Sequence, residues 1–67
     1  MGQPYRPTYK MIFVSEKGAE IPVGNFERLD EASAFARNYV SEQDGMMRLM
    51  KYNKAEDAYV QYEKWNN

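Results

Sequence analysis

The chain contains no cysteine and no histidine. The first absence excludes disulfides and thiolate metal sites. The second removes the commonest general base and the commonest transition-metal ligand. No apolar run approaches the roughly 18 residues that a membrane-spanning helix needs. No charged-then-apolar leader is present, so export is not indicated and a cytoplasmic location is expected. Neither sign of charge dominates: 9 basic residues stand against 10 acidic ones, and the net charge of −1 gives no global attraction for nucleic acid or anionic lipid. There is no internal repeat, no low-complexity tract and no linker long enough to separate domains.

What is present is the composition of a folded domain, 43% hydrophobic and 15% aromatic. At 67 residues the chain forms one small domain. A chain of this size buries only about 60% of its unfolded surface, so its stability is marginal without help. With disulfides excluded, oligomerisation or a larger partner remains as the available help.

Residues 25–45 organise the rest. Ala32, Phe35, Ala36, Tyr39 and Val40 recur at the i, i+3, i+4, i+7, i+8 spacing that puts them on one side of a helix. Asp30 is the preferred N-cap, with Glu31 in the first turn where negative charge suits the dipole. A start at Asn25 is the alternative, because Phe26 and Leu29 continue the apolar stripe. Gly45 supplies a left-handed stop. The segment from Phe26 to Ala32, with Phe35, Ala36 and Arg37, resembles the strand-to-helix passage of many small bacterial and phage ββαββ domains.

Strands are expected over residues 8–14, 20–26, 46–53 and 58–65, short runs rich in β-branched and aromatic side chains. The two prolines in residues 1–7 mark a flexible N-terminal arm ahead of a single domain over 8–67. The first hairpin takes a three-residue loop, Glu16-Lys17-Gly18, with a bulge at the glycine. That loop sets Phe13 opposite Ile21 and Met11 opposite Val23, on one face with Tyr9. A two-residue loop would send every side chain to the other face. Pro22 has no N–H to give, which places the second strand at a sheet edge. Residues 54–57 form the second turn. The fold class is therefore α+β, a single small domain of order β-β-α-β-β, with antiparallel hairpins and one helix packed on one sheet face.

One helix, roughly 10 Å wide with its side chains, covers one face. In the second hairpin Met50, Tyr52, Val60 and Tyr62 are grouped on one face and Met47, Leu49 and Trp65 on the other. The face away from the helix is then expected to carry Ile12, Val14, Met47, Leu49 and Trp65. Leaving such groups in water forgoes about 1.5–3 kcal/mol each, which is comparable with the whole stability of a small domain. These five are the candidate partner-binding residues, for another protein or a second copy of the chain. The competing reading is ordinary scattered exposure or cover by the arm.

Residues 46–54 hold Arg48, Lys51 and Lys54 and no acid, whereas residues 15–31 are mostly acidic. Arg48, Lys51, Tyr52, Lys54 and Tyr59 together have the ingredients of a single-stranded nucleic-acid surface, where aromatics stack on bases and cations follow phosphates. Packing alone also favours tyrosine on strands, and protein interfaces favour the same residue types.

No catalytic set is found. Ser15, Ser33 and Ser41 have no histidine to activate them, and the adjacent pairs Asp30-Glu31 and Glu56-Asp57 point apart on a helix. Asp44-Gly45 lacks the further ligands of a calcium loop, and a domain of this size has little volume for a ligand pocket. No metal and no cofactor is expected. The expected function is that of a non-enzymatic accessory, regulatory or inhibitor protein, acting through an apolar and aromatic sheet face, with homodimerisation as an option. A nucleic-acid-binding module is the alternative.

Overall fold

A computed structural model describes residues 6–66. The elements follow in the order β1 (Tyr9–Ser15), β2 (Glu20–Phe26), α1 (Leu29–Glu42), β3 (Gly45–Asn53) and β4 (Ala58–Asn66). The four strands form one antiparallel sheet in the spatial order β2-β1-β3-β4. The two hairpins therefore join through the β1–β3 pairing, and β2 and β4 are the edges.

The first hairpin turns as its sequence indicates. Ser15 N–H donates to Ala19 O at 2.9 Å, and Gly18 N–H donates to Ser15 O at 2.9 Å, enclosing Glu16, Lys17 and Gly18. Ser15 Oγ accepts from Ala19 N–H at 3.1 Å. Gly18 adopts φ +88°, a conformation that costs a residue without Cβ little. Phe13 lies opposite Ile21. Further along, the ladder slips: Ile12 pairs with Pro22 but Met11 pairs with Gly24, leaving Val23 as an extra residue. The expected Met11–Val23 pair is thus replaced by a bulge next to Pro22, on an edge strand.

Helix α1 begins earlier than an Asp30 cap allows. The N-cap position is Arg28, which has extended backbone angles and makes no side-chain capping bond. Asp30 lies inside the first turn, where its Oδ1 accepts from Glu31 N–H at 2.9 Å. The early start brings Leu29 into the stripe that packs on the sheet. Hydrophobic burial at Leu29 outweighs the better capping chemistry one residue later. The helix ends before Gly45, which opens β3 instead of stopping the helix. A Cβ there would sit 2.6 Å from both the Phe13 ring and Val14 O. Gly45 is needed for close approach of two strands under an aromatic ring, at φ +147°.

The core lies between helix and sheet. Ala32, Ala36 and Val40 meet Tyr9, Met11 and Phe13 of β1 and Met47 and Leu49 of β3. Two small alanines let the helix come close, and larger rings close the flanks. Phe13 stacks with Tyr39 at 5.0 Å between centroids, Phe26 with Phe35 at 5.3 Å, and Phe35 with Tyr39 at 5.7 Å.

The second hairpin corrects the face assignment. Met47 pairs with Phe13 and Leu49 with Met11, and directly opposed residues share a face. Both are fully buried under the helix, and Trp65, opposite Met47, packs against the same core. Met47, Leu49 and Trp65 therefore do not share a face with Ile12 and Val14. A second slip, between Leu49 and Met50, leaves Tyr62 as the extra residue of β4. Tyr62 turns to the helix side, with its ring 6.0 Å from that of Tyr9, and Val60 follows it opposite Lys51. Met50 and Tyr52 are thus separated from Val60 and Tyr62.

Of the expected N-terminal arm, residues 1–5 lie outside the described residues. Its last part is tied down: Pro7 is buried, its carbonyl accepts from Tyr59 Oη at 2.7 Å, and Thr8 O accepts from Tyr52 N–H at 2.9 Å.

Candidate functional site

The strand alternation assigns the face away from the helix residue by residue. β1 gives it Lys10, Ile12 and Val14, and β3 gives it Met46, Arg48, Met50 and Tyr52, each opposite a member of the same set or of the edge strands. Glu20, Pro22 and Asn25 flank it on β2, and Tyr59, Gln61 and Lys64 on β4. No described element lies over this face. Its two central strands carry Ile12 and Val14 on β1 and Met46 and Met50 on β3, all half-buried, with Val14 opposite Met46, Ile12 opposite Arg48 and Met50 opposite Lys10.

Arg48 crosses the middle of this face. Its Nε donates to Gln61 Oε1 at 2.8 Å, and its Nη1 is 3.5 Å from Glu20 Oε2. The guanidinium thus bridges toward both edges, and its side chain keeps only 25% of its exposure. Lys10 places Nζ 4.3 Å from the centre of the Tyr59 ring, and the Tyr59 and Tyr52 rings meet edge to face at 5.4 Å. Arg6 lies 5.0 Å from the Tyr52 ring centre and donates from Nη1 to Tyr52 Oη at 2.7 Å and to Asp57 Oδ1 at 2.9 Å. Tyr52 Oη in turn donates to Asp57 Oδ1. That bond to a carboxylate holds the Tyr52 hydroxyl above its ordinary pKa, against the opposing pull of Arg6. This corner is polar and fully partnered. Asn53 Oδ1 accepts from Ala55 N–H at 2.9 Å and closes the adjoining turn, in which Asp57 takes φ +49°.

The two candidate residue sets fare differently. Of the expected partner-binding set, Ile12 and Val14 are on the open face, while Met47, Leu49 and Trp65 are in or against the core. The places of Met47 and Leu49 are taken by Met46 and Met50, one residue away in each case. The basic and aromatic set is also divided. Arg48, Tyr52 and Tyr59 share the open face, Lys54 is in the turn, and Lys51 is on the helix side, 5.1 Å from the Tyr62 ring centre and 6.0 Å from that of Tyr9. Lys10 and Lys64 also belong to the open face, outside both expected sets. Alternation could have assigned Lys10 together with Ile12, but Lys64 lies beyond the β4 bulge, which the sequence does not announce.

Lys51, Tyr52, Asn53, Lys54, Val60 and Tyr62 line a solvent-open depression of about 370 Å³ at the end of the β3–β4 hairpin. Its volume falls within the range of ligand sites, more than the length of the chain suggested. Among the described residues no group of three metal-ligating side chains converges. The serines have local tasks: Ser15 closes the first turn, and Ser41 Oγ donates to Asn38 O at 2.7 Å. Asp30 receives a two-pronged bond from Arg28, at 3.1 and 3.0 Å, which holds its carboxyl below the usual range. No described helix is long and apolar enough to cross a membrane.

No protein-family model, no curated protein and no solved structure matches this chain.

Proposed function

We propose that this protein is a non-enzymatic binding module whose open sheet face docks a partner protein. One observation carries the proposal: the central strands present Ile12, Val14, Met46 and Met50 on one face, grouped around Arg48, with no described element over them. The charges on that face narrow the partner. Lys10, Arg48 and Lys64 stand against Glu20 alone, so the complementary surface is apolar with acidic flanks. The same excess disfavours two copies meeting face to face, because each would bring the same cations to the contact.

A nucleic acid would also answer the positive charge, but the ring faces it needs are engaged. Lys10 lies over Tyr59, Arg6 lies over Tyr52, the two rings pack on each other, and Arg48 is held by Gln61 and Glu20. Base stacking would have to displace these contacts first.

Selection from a displayed random peptide library tests the proposal. Apolar peptides with acidic flanks should be enriched. Their binding should be lost in Ile12→Lys and Met50→Lys and kept in Asn38→Lys, a change at an exposed helix position. Enrichment that survives both open-face changes would refute it. So would absence of such peptides together with binding to poly(dT) that weakens steeply with salt.

A further inference from the structure

The two edges of the sheet are not alike. β2 carries Pro22 and a bulge beside it, two features that discourage addition of another strand. β4 has nine residues, Ala58–Asn66, no proline, and no strand among the described residues on its outer side. Two of the three large hydrophobic side chains that stand most exposed, Val60 and Tyr62, are on it.

We infer that β4 pairs with β4 of a second copy, antiparallel, about a two-fold axis between Tyr62 and Glu63. The reason lies in the extra residue. Along β4, Val60, Tyr62, Glu63 and Trp65 fall on the helix side, and Tyr59, Gln61, Lys64 and Asn66 on the open side. The alternation changes phase at Tyr62. An unbulged strand laid along this edge matches faces on one side of Tyr62 and mismatches them on the other. A second copy carries the same phase change. With the axis between Tyr62 and Glu63, Tyr62 lies opposite the partner's Glu63, Gln61 opposite the partner's Lys64, Val60 opposite the partner's Trp65 and Tyr59 opposite the partner's Asn66. Every pair has matching faces, and no pair opposes like charges. A pairing that reads the same from both copies is what a two-fold interface requires. The irregularity that rejects generic strands thus admits this one.

The consequences are physical as well as geometric. Val60 gains cover from an indole, and an edge of unpaired backbone groups is closed. The two sheets continue into one, with both helices on one side and both open faces on the other. The inference rests on the β4 edge and does not depend on what the open face binds.

Sedimentation equilibrium over a wide concentration range, with charge-swap variants, tests it. The native chain should reach twice its 7.9 kDa mass. Gln61→Lys puts two like-charge pairs, Lys against Lys64, into the symmetric contact and should weaken the dimer roughly tenfold or more. Adding Lys64→Glu should restore it, while Lys64→Glu alone faces a neutral Gln61 and should change little. Gln61→Glu, which keeps an oxygen for Arg48, should tighten it. Both positions are exposed, so circular dichroism should remain native in each variant. A native chain that stays monomeric throughout would overturn the inference. A dimer indifferent to Gln61→Lys, or not restored by the second change, would overturn it equally by moving the contact elsewhere.

Discussion

Met46, Met47, Leu49 and Met50 lie within five consecutive positions of β3 and are similar in chemistry, yet they have opposite fates. Met47 and Leu49 are fully buried beneath α1. Met46 and Met50 are half-buried on a face that no described element covers. The difference is not in the side chains but in what lies above them. Met47 and Leu49 oppose Phe13 and Met11, and the helix closes over all four with Ala32, Ala36 and Val40. Met46 and Met50 oppose Val14 and Lys10, and no described helix or strand covers them. One face holds the fold together; the other is available to act.

That contrast is sharpest under truncation. Leu49→Ala should destabilise the protein by about 2–5 kcal/mol, because the transfer loss is joined by a cavity. Met50→Ala should cost less than about 1 kcal/mol, within the range of surface changes. Urea denaturation of the pair checks this, and equal costs would mean that the open face is covered after all. Gly45→Ala should follow, with a loss of about 1–3 kcal/mol from overpacking against Phe13. An unchanged denaturation midpoint there would show that the Phe13 ring yields readily.

Ile12→Lys should leave the denaturation midpoint nearly where it was and remove peptide binding, separating the two faces by function instead of stability. Isothermal titration calorimetry with an enriched peptide measures the second half of that statement. Loss of folding in Ile12→Lys would instead make the open face a structural one.

The smallest effect belongs to the polar corner. The Tyr52 hydroxyl is held above its ordinary pKa by its bond to Asp57. A raised pKa in the folded state means that the contribution is present below the ordinary tyrosine pKa and is lost as pH rises through the folded-state value. Asp57→Asn should therefore move the titration of Tyr52 down toward the ordinary value, seen as a difference in tyrosinate absorbance against the native chain. A titration unchanged by the substitution would mean that the contact does not govern Tyr52.

Much of the architecture is legible in local pattern. The Ala32, Phe35, Ala36, Tyr39, Val40 stripe needs only helical periodicity, and it packs on the sheet as that periodicity implies. Gly18 and the flanking alternation define the first loop, and the missing N–H of Pro22 sends β2 to an edge. Asp30 misled because capping preference is weaker than the burial of Leu29. Met47, Leu49 and Trp65 were misassigned for another reason. β3 is apolar in both phases of its alternation, so nothing local states which phase faces the helix.

Element order, the helix stripe, the first turn and the lack of thiol and imidazole side chains are all legible in the residues alone. These depend on neighbours within a few residues, where period and turn geometry are set by the backbone. Strand order, the phase of β3 and β4, and hence the membership of the open face emerge with the fold. Those depend on the β1–β3 pairing of distant segments and on one extra residue at Tyr62. A single-residue slip reverses every side chain beyond it, and no local preference is strong enough to fix that choice.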